Sequence, residues 1–409
     1  MRDDQIKRKR APYDAAEKAR RERIEDLRDE YEIVDRIEEE YTSRQRRRRR
    51  HIAGIIGVIA LLLTGVLLML ILQTYDAVQV LDSHALSDAG SNGYTAFAGG
   101  ILKYNRDGVS LMDAEGEDKW NQATQLQQPV IATSQQYAAA ADVTGTAVYI
   151  FDEKGLVKQL QTGKPIERVF VGNDGTAALI QENGSTPVVS CYDRKGALLL
   201  KHQASLSESG YPISAALSDD GKVLVLSYLK ASGKGVSGKI AFFDIKEHKQ
   251  DNTIYTEDLD GEAAGEVFFM DNMAVAVGET QCLIYEGADS PKKKKTIELE
   301  GEIEKVFHDQ RYFGFVLRLP NGERSLTVYS RTGARKLEKT ITGVYERAVL
   351  SDNQVILFGG QECCIYTLRG IHRFDGQMLD GMLYVMPVRG LNRYAVVTNE
   401  GIEKVYLTR

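Results

Sequence analysis

Cysteine, tryptophan and histidine are all scarce in this chain, whose 409 residues include four Cys, one Trp and six His. None of the cysteines lies near the N-terminal apolar stretch, which excludes a lipoprotein-type acylation site there. The histidines (His51, His84, His202, His248, His308 and His372) contain no His-x-x-x-His or similar pair, so their spacing offers no metal site. No Gly-x-Ser-x-Gly nucleophile elbow occurs. Composition shows no collagen or disorder bias. No catalytic residue, cofactor-binding residue, metal ligand or cofactor is therefore predicted, and the sequence alone does not disclose an activity.

Charge is divided unevenly. Residues 1–50 carry 17 Lys and Arg against 14 Asp and Glu, a net of +3, and with the whole chain at −6 the remainder stands at −9. A basic tail beside an acidic body suits a tail at anionic lipid and a body that binds no nucleic acid.

Between tail and body run 21 residues, 52–72, with no charge and nothing more polar than Thr64. At about 1.5 Å per residue such a helix spans roughly 30 Å, the hydrocarbon thickness of a bilayer. A core helix of a soluble domain would carry a polar face, and this stretch has none. Residues 51–73 are predicted to form a transmembrane signal anchor, contacting the lipid bilayer through 52–72. Arg44 and the run from Arg46 to Arg50 abut one end, whereas no Lys or Arg occurs from Gln73 to Leu102. Basic residues resist translocation, so the N-terminus is expected in the cytoplasm, Arg46–Arg50 near anionic headgroups, and the C-terminal part outside the plasma membrane. A cleaved signal peptide would have an apolar region of only about 7–15 residues.

The tail, residues 1–50, lacks Gly and Pro after Pro12, and Ile24, Leu27, Tyr31 and Val34 recur at helical spacing, with Tyr41 beyond. A solvated helix is predicted. Two heptads are too few to establish a coiled coil, for which about three or four are needed.

Past residue 90 no long amphipathic helix is legible. Short β-branched and aromatic runs alternate with Asp-Gly, Asn-Gly and other Gly-containing turns. One position recurs, the large residue ending an apolar strand: Met112, Phe151, Tyr192, Phe243, Tyr285, Tyr329, Tyr366 and Tyr406, with separations of 39, 41, 51, 42, 44, 37 and 40. A period near 40 in an all-strand segment matches one four-stranded propeller blade. The outlier of 51 is assigned to a hairpin insertion at 230–239. A polar cap with Gly fourth also recurs, at 113–116, 152–155, 193–196 and 330–333, which is the preference of a type I turn.

An all-β fold is predicted: a β-propeller of eight blades over residues 94–409, with seven as the alternative and a pair of β-sandwiches as runner-up. The last unit has room for only three strands, so residues 74–93 are read as a linker containing the missing one, at 77–82 (AVQVLD). Joining the two ends in this way removes an open sheet edge.

The stretches ILKYNRDG (101–108), KWN (119–121) and SGYPISAALSDDG (209–221), continuing to LSYL (226–229), resemble a bacterial family of membrane-anchored propellers known as a domain of unknown function. The likeness spans 74–409. It implies the anchored-propeller layout and supplies no activity.

Local motifs favour structural meanings. Gly233 to Lys239 matches most of a phosphate loop, but Ile240 stands where Ser or Thr should hold magnesium and a strand, not a helix, follows. Trp120 stands where quinone-cofactor propellers repeat a docking Trp, yet Gln159 and Leu200 occupy the later equivalents, so packing between blades is expected. Pro291 to Lys295 is read as a solvated loop, Asn183-Gly-Ser185 as an acceptor only in a glycosylating host, and Cys191, Cys282, Cys363 and Cys364 as buried thiols, with a strained Cys363–Cys364 bond as the alternative. The function expected is a membrane-anchored binding or scaffold module at the cell envelope, its partner an envelope protein or wall polymer. An enzyme with a loop-built site, or a sensor coupled to the tail, are the alternatives.

Overall fold

The computed structural model describes residues 51–69, 72–86, 91–232, 235–246 and 252–409, with residues 18, 20, 21, 23, 25, 28 and 49 of the tail. Two compact units divide between Gln73 and Thr74. In the first, His51–Met69 is one helix long and apolar enough to cross a membrane. Its large apolar side chains are exposed all round, and the Thr64 hydroxyl donates to the Ala60 carbonyl at 2.8 Å, so it asks nothing of its surroundings. Ile24, Leu27, Tyr31, Val34 and Tyr41, the stripe expected in the tail, lie outside the described residues, as do Arg46, Arg47, Arg48 and Arg50.

The second unit consists of eight antiparallel four-stranded sheets. Seven are made of consecutive strands and are numbered here as blades 1 to 7: 93–123, 129–161, 166–203, 211–260, 266–298, 302–341 and 347–377. The eighth combines Tyr384–Pro387, Arg393–Val397 and Gly401–Thr408 with Ala77–Ala85, which supplies the outermost strand. That donated strand runs antiparallel to the C-terminal one, from Ala77 opposite Thr408 to Ala85 opposite Gly401. Apolar clusters fill the seams between successive blades, and one joins blade 7, blade 8 and blade 1, so the ring is closed. The architecture is an eight-bladed β-propeller, and the seven-blade and sandwich alternatives fall with the strand pairing.

The sequence pattern follows from this stacking. Middle strands lie between two neighbouring blades and read as unbroken buried runs, such as Ala177–Gln181 and Met273–Val277. Outermost strands have a wet side, and Arg335–Ile341 alternates accordingly. In blades 1 to 7 the pairing of third and fourth strands slips by one residue at the recurrent large residue, from Met112 through Tyr366. The repeat mark is therefore the site of a β-bulge, which adds twist to the outer strand. In blade 8 the slip lies instead between Val80 and Asp82 on the donated strand.

One expectation is revised. Lys292–Glu298 is the outermost strand of blade 5, not a loop; lysines suit an exposed edge because they discourage pairing with other sheets. Cys363 and Cys364 point into opposite seams, toward blade 8 and blade 6, as adjacent strand residues must. All four cysteines are free and buried. The 51-residue interval does reflect a longer hairpin, with strands of ten residues each paired out to Ser232 opposite Gly235.

Candidate functional site

The first strand of every blade faces the centre, and together they enclose a channel of about 690 Å³. Its lining is lopsided. Among side chains open to the channel, blades 4 to 6 contribute Asp219, Glu266, His308 and Asp309, whereas blades 1, 7 and 8 present groups such as Ala96, Ala98, Leu350 and Met386. A polar wall thus faces an apolar one.

The polar wall is organised around His308, the last residue of Glu302–His308. Its ring stacks on Phe268 with centroids 4.0 Å apart and planes 6° from parallel. Its Nε2 stands 3.8 Å from Glu266 Oε1, and the side chains remain 37% and 44% exposed. Both are wetted by the channel yet enclosed by its walls. Enclosure disfavours charge, so the His308 imidazole is pushed down, to about 4, and the Glu266 carboxyl is pushed up, partly opposed by Arg168.

At one end the turns between first and second strands tie neighbouring blades. Asn173 donates to Asp219 at 2.8 Å and accepts from the Gln135 amide at 2.9 Å. Burial, with help from Asp271 and Asp220, raises Asp219 against the lowering effect of Asn173. Asp309 caps its own turn, accepting from the Arg311 and Tyr312 amides at 2.7 Å. Asp219 and Asp309 each engage one carboxylate oxygen in these turns, which leaves the other, with Glu266, to meet a ligand.

Residues 71–407 match the sequence profile of DUF5711, a family of unknown function. The chain belongs to that family. No curated protein matches it significantly. Among solved structures, BamB from Moraxella catarrhalis is similar at 13% identity and a TM-score of 0.51, over 81% of this chain and all of that one. The computationally designed Ika8 protein (10% identity, TM-score 0.52) and Sqt1 of Saccharomyces cerevisiae (9%, 0.52) each cover 82% of this chain and are matched over their full length. At such identities the likeness concerns the fold alone.

The family-resembling Gly-Tyr-Pro stretch proves to be a tie between blades. The Tyr211 hydroxyl donates to the Glu167 carboxylate, Arg168 donates to the Ile213 carbonyl, and Gly210 takes a φ of 92° where a Cβ would stand 2.5 Å from the Leu229 carbonyl oxygen. Trp120 packs as expected, stacked on Phe151 of blade 2 at 5.2 Å and donating to the Glu153 carbonyl at 3.2 Å. The phosphate-loop lookalike is a hairpin whose second half is the strand Gly235–Asp244, where a phosphate loop would lead into a helix; Gly233 and Lys234 lie outside the described residues. Three of the four lysines near 292 have partners: Lys293 with Glu257 and Lys294 with Glu286, and Lys295 with the Gly333 carbonyl. The Asn183 amide is engaged with Thr186.

Among the described residues one set of side chains converges closely enough to share a metal ion: Cys364, His372 and Asp375 in blade 7. Their spacing matches no linear motif, which is why the sequence expectation was of no metal ligand. His248 lies outside the described residues, and His202 packs on Phe243 at 4.7 Å.

Proposed function

We propose that this protein is a membrane-anchored binding module, with its tail cytoplasmic and its propeller beyond the membrane, whose channel receives an amphipathic segment carrying basic groups from an envelope protein. The observation that carries this reading is the division of the channel into a carboxylate wall, Asp219 and Glu266, and an apolar wall around Ala96, Leu350 and Met386. An extended segment alternating basic and apolar side chains would satisfy both at once. The apolar helix and the arginines that precede it support the anchored topology.

The test is titration of the detergent-solubilised full chain with fluorescent peptides alternating Lys and aromatic residues. Binding should weaken about tenfold in an Asp219→Asn, Glu266→Gln double variant, the loss of roughly 1.4 kcal/mol, and should fall with salt. Equal binding by the double variant, or binding only of wall polymer, would overturn it.

The approach of His308 and Glu266 favours a second reading, an acid–base enzyme in the same channel. Turnover of an extracellular peptide or glycan that vanishes in Glu266→Gln would favour that reading over simple binding.

A further inference from the structure

We propose that blade 7 carries a binding site for a divalent transition metal of the zinc type, held by Cys364 Sγ, His372 Nε2 and a carboxylate oxygen of Asp375. The site lies outside the channel and does not depend on what the channel binds.

The local backbone explains the convergence. Cys364 and Tyr366 lie two apart on Glu362–Thr367 and share the side facing blade 6. Across the ladder Asp375 pairs with Cys364, and His372 pairs with Tyr366. Residues three apart on a regular strand would face opposite ways. The bulge inserts Arg373 between the paired positions, so His372 and Asp375 return to one face. The Arg373 side chain leaves by the other face and donates to Asn392 of the last blade.

All three donor atoms lie within 4.8 Å of one another, and the two separations centred on His372 suit a tetrahedral ion. Cys364 Sγ is 3.4 Å from His372 Nε2, and His372 Nε2 is 3.6 Å from Asp375 Oδ2. Donors about 2.3 Å (sulfur) and 2.0–2.2 Å (nitrogen, oxygen) from such an ion stand roughly 3.4–3.6 Å apart. A thiolate, an imidazole and a carboxylate form a mixed donor set of the kind zinc accepts, and a fourth position would stay open to water. The Tyr366 ring stacks on His372 at 4.3 Å, which would steady that ligand. Lys339 of blade 6 is a cation whose field opposes the site and acts on His372 against that of Asp375.

A catalytic triad is excluded by the same geometry. An orienting carboxylate must hold the imidazole nitrogen remote from the nucleophile, whereas sulfur and carboxylate here approach the same Nε2. The site also adjoins the closing segment: the Thr74 hydroxyl donates to the His372 carbonyl at 2.8 Å. Metal binding should therefore brace the edge where the chain first joins the ring.

Full-length protein in detergent, reduced and stripped with chelator, is titrated with Co²⁺. One equivalent should produce a near-ultraviolet thiolate-to-cobalt band and visible bands of four-coordinate intensity, which Zn²⁺ abolishes by displacement. Cys364→Ser should lose the thiolate band, whereas Cys363→Ser, facing the opposite seam, should keep it. Asp375 is exposed, so Asp375→Asn should fold normally by circular dichroism yet bind at least about tenfold more weakly. A spectrum of hydrated Co²⁺, an undiminished band in Cys364→Ser, or unchanged affinity in Asp375→Asn would overturn the proposal.

Discussion

His308 shows how a single side chain can set the acid response of the propeller. Enclosure holds its folded imidazole near 4, against an ordinary value of 6.5. Between those values the unfolded chain binds more protons than the folded one, so His308 makes stability rise with pH across that window. Glu266, raised above its ordinary 4.5, acts with the opposite sign over its own range. Replacing His308 with Gln should flatten the rise of Tm between about pH 4 and 6.5, measured by thermal scans across a pH series; an unchanged slope would count against this assignment. Trp120 offers a test in packing. Trp120→Ala removes both the stack on Phe151 and the bond to Glu153, and the side chain is only partly buried. A loss of about 2 kcal/mol is expected by chemical unfolding, below the cost for a fully buried Trp. That residue was legible in the sequence because its partner lies one blade on. His308 and Glu266 were not, since their proximity arises only when adjacent inner strands are set around a channel.

Turns and bulges carry the element-level account. Asp193 accepts the Lys195 and Ala197 amides at 2.9 and 2.8 Å, and Gly196 follows at φ 95°, the turn expected from the Asp-x-x-Gly pattern. Asp193→Ala should cost about 1 kcal/mol, as loss of comparable caps does. The bulges were present in the sequence as a row of large residues, yet nothing in that row reveals which outer-strand residue is extruded. For that reason the Cys364, His372 and Asp375 set escaped a reading based on regular alternation. Closure depends on another element. The Tyr75 amide donates to the Arg373 carbonyl at 3.0 Å, and the Tyr75 carbonyl accepts from the Asp375 amide at 3.1 Å, before the strand moves on to blade 8. A Cβ on Gly376 would stand 2.6 Å from the Asp76 carbonyl oxygen. Gly376→Val should release this segment, seen as faster hydrogen exchange at the Tyr75 and Asp375 amides, while amides within blade 3 keep their protection.

At the scale of the molecule, a period near 40 residues sufficed to count eight blades, and the shortage of one C-terminal strand pointed to 77–82 as its donor, now seen as Ala77–Ala85. The site was less accessible because a propeller builds its channel from residues roughly a blade apart in sequence, each unremarkable in its own strand. The proposed anchored topology rests on His51–Met69 and the arginines before it. Its most direct test exploits the burial of all four native cysteines, which leaves them silent toward a bulky reagent. Single substitutions Ser43→Cys in the tail and Ser207→Cys on the exposed surface of the ring are treated with a membrane-impermeant maleimide on intact cells, with any wall removed. Labelling at 207, with 43 reacting only after lysis, is the predicted result. Labelling at 43, with 207 protected until lysis, would contradict the topology on which the proposed function stands.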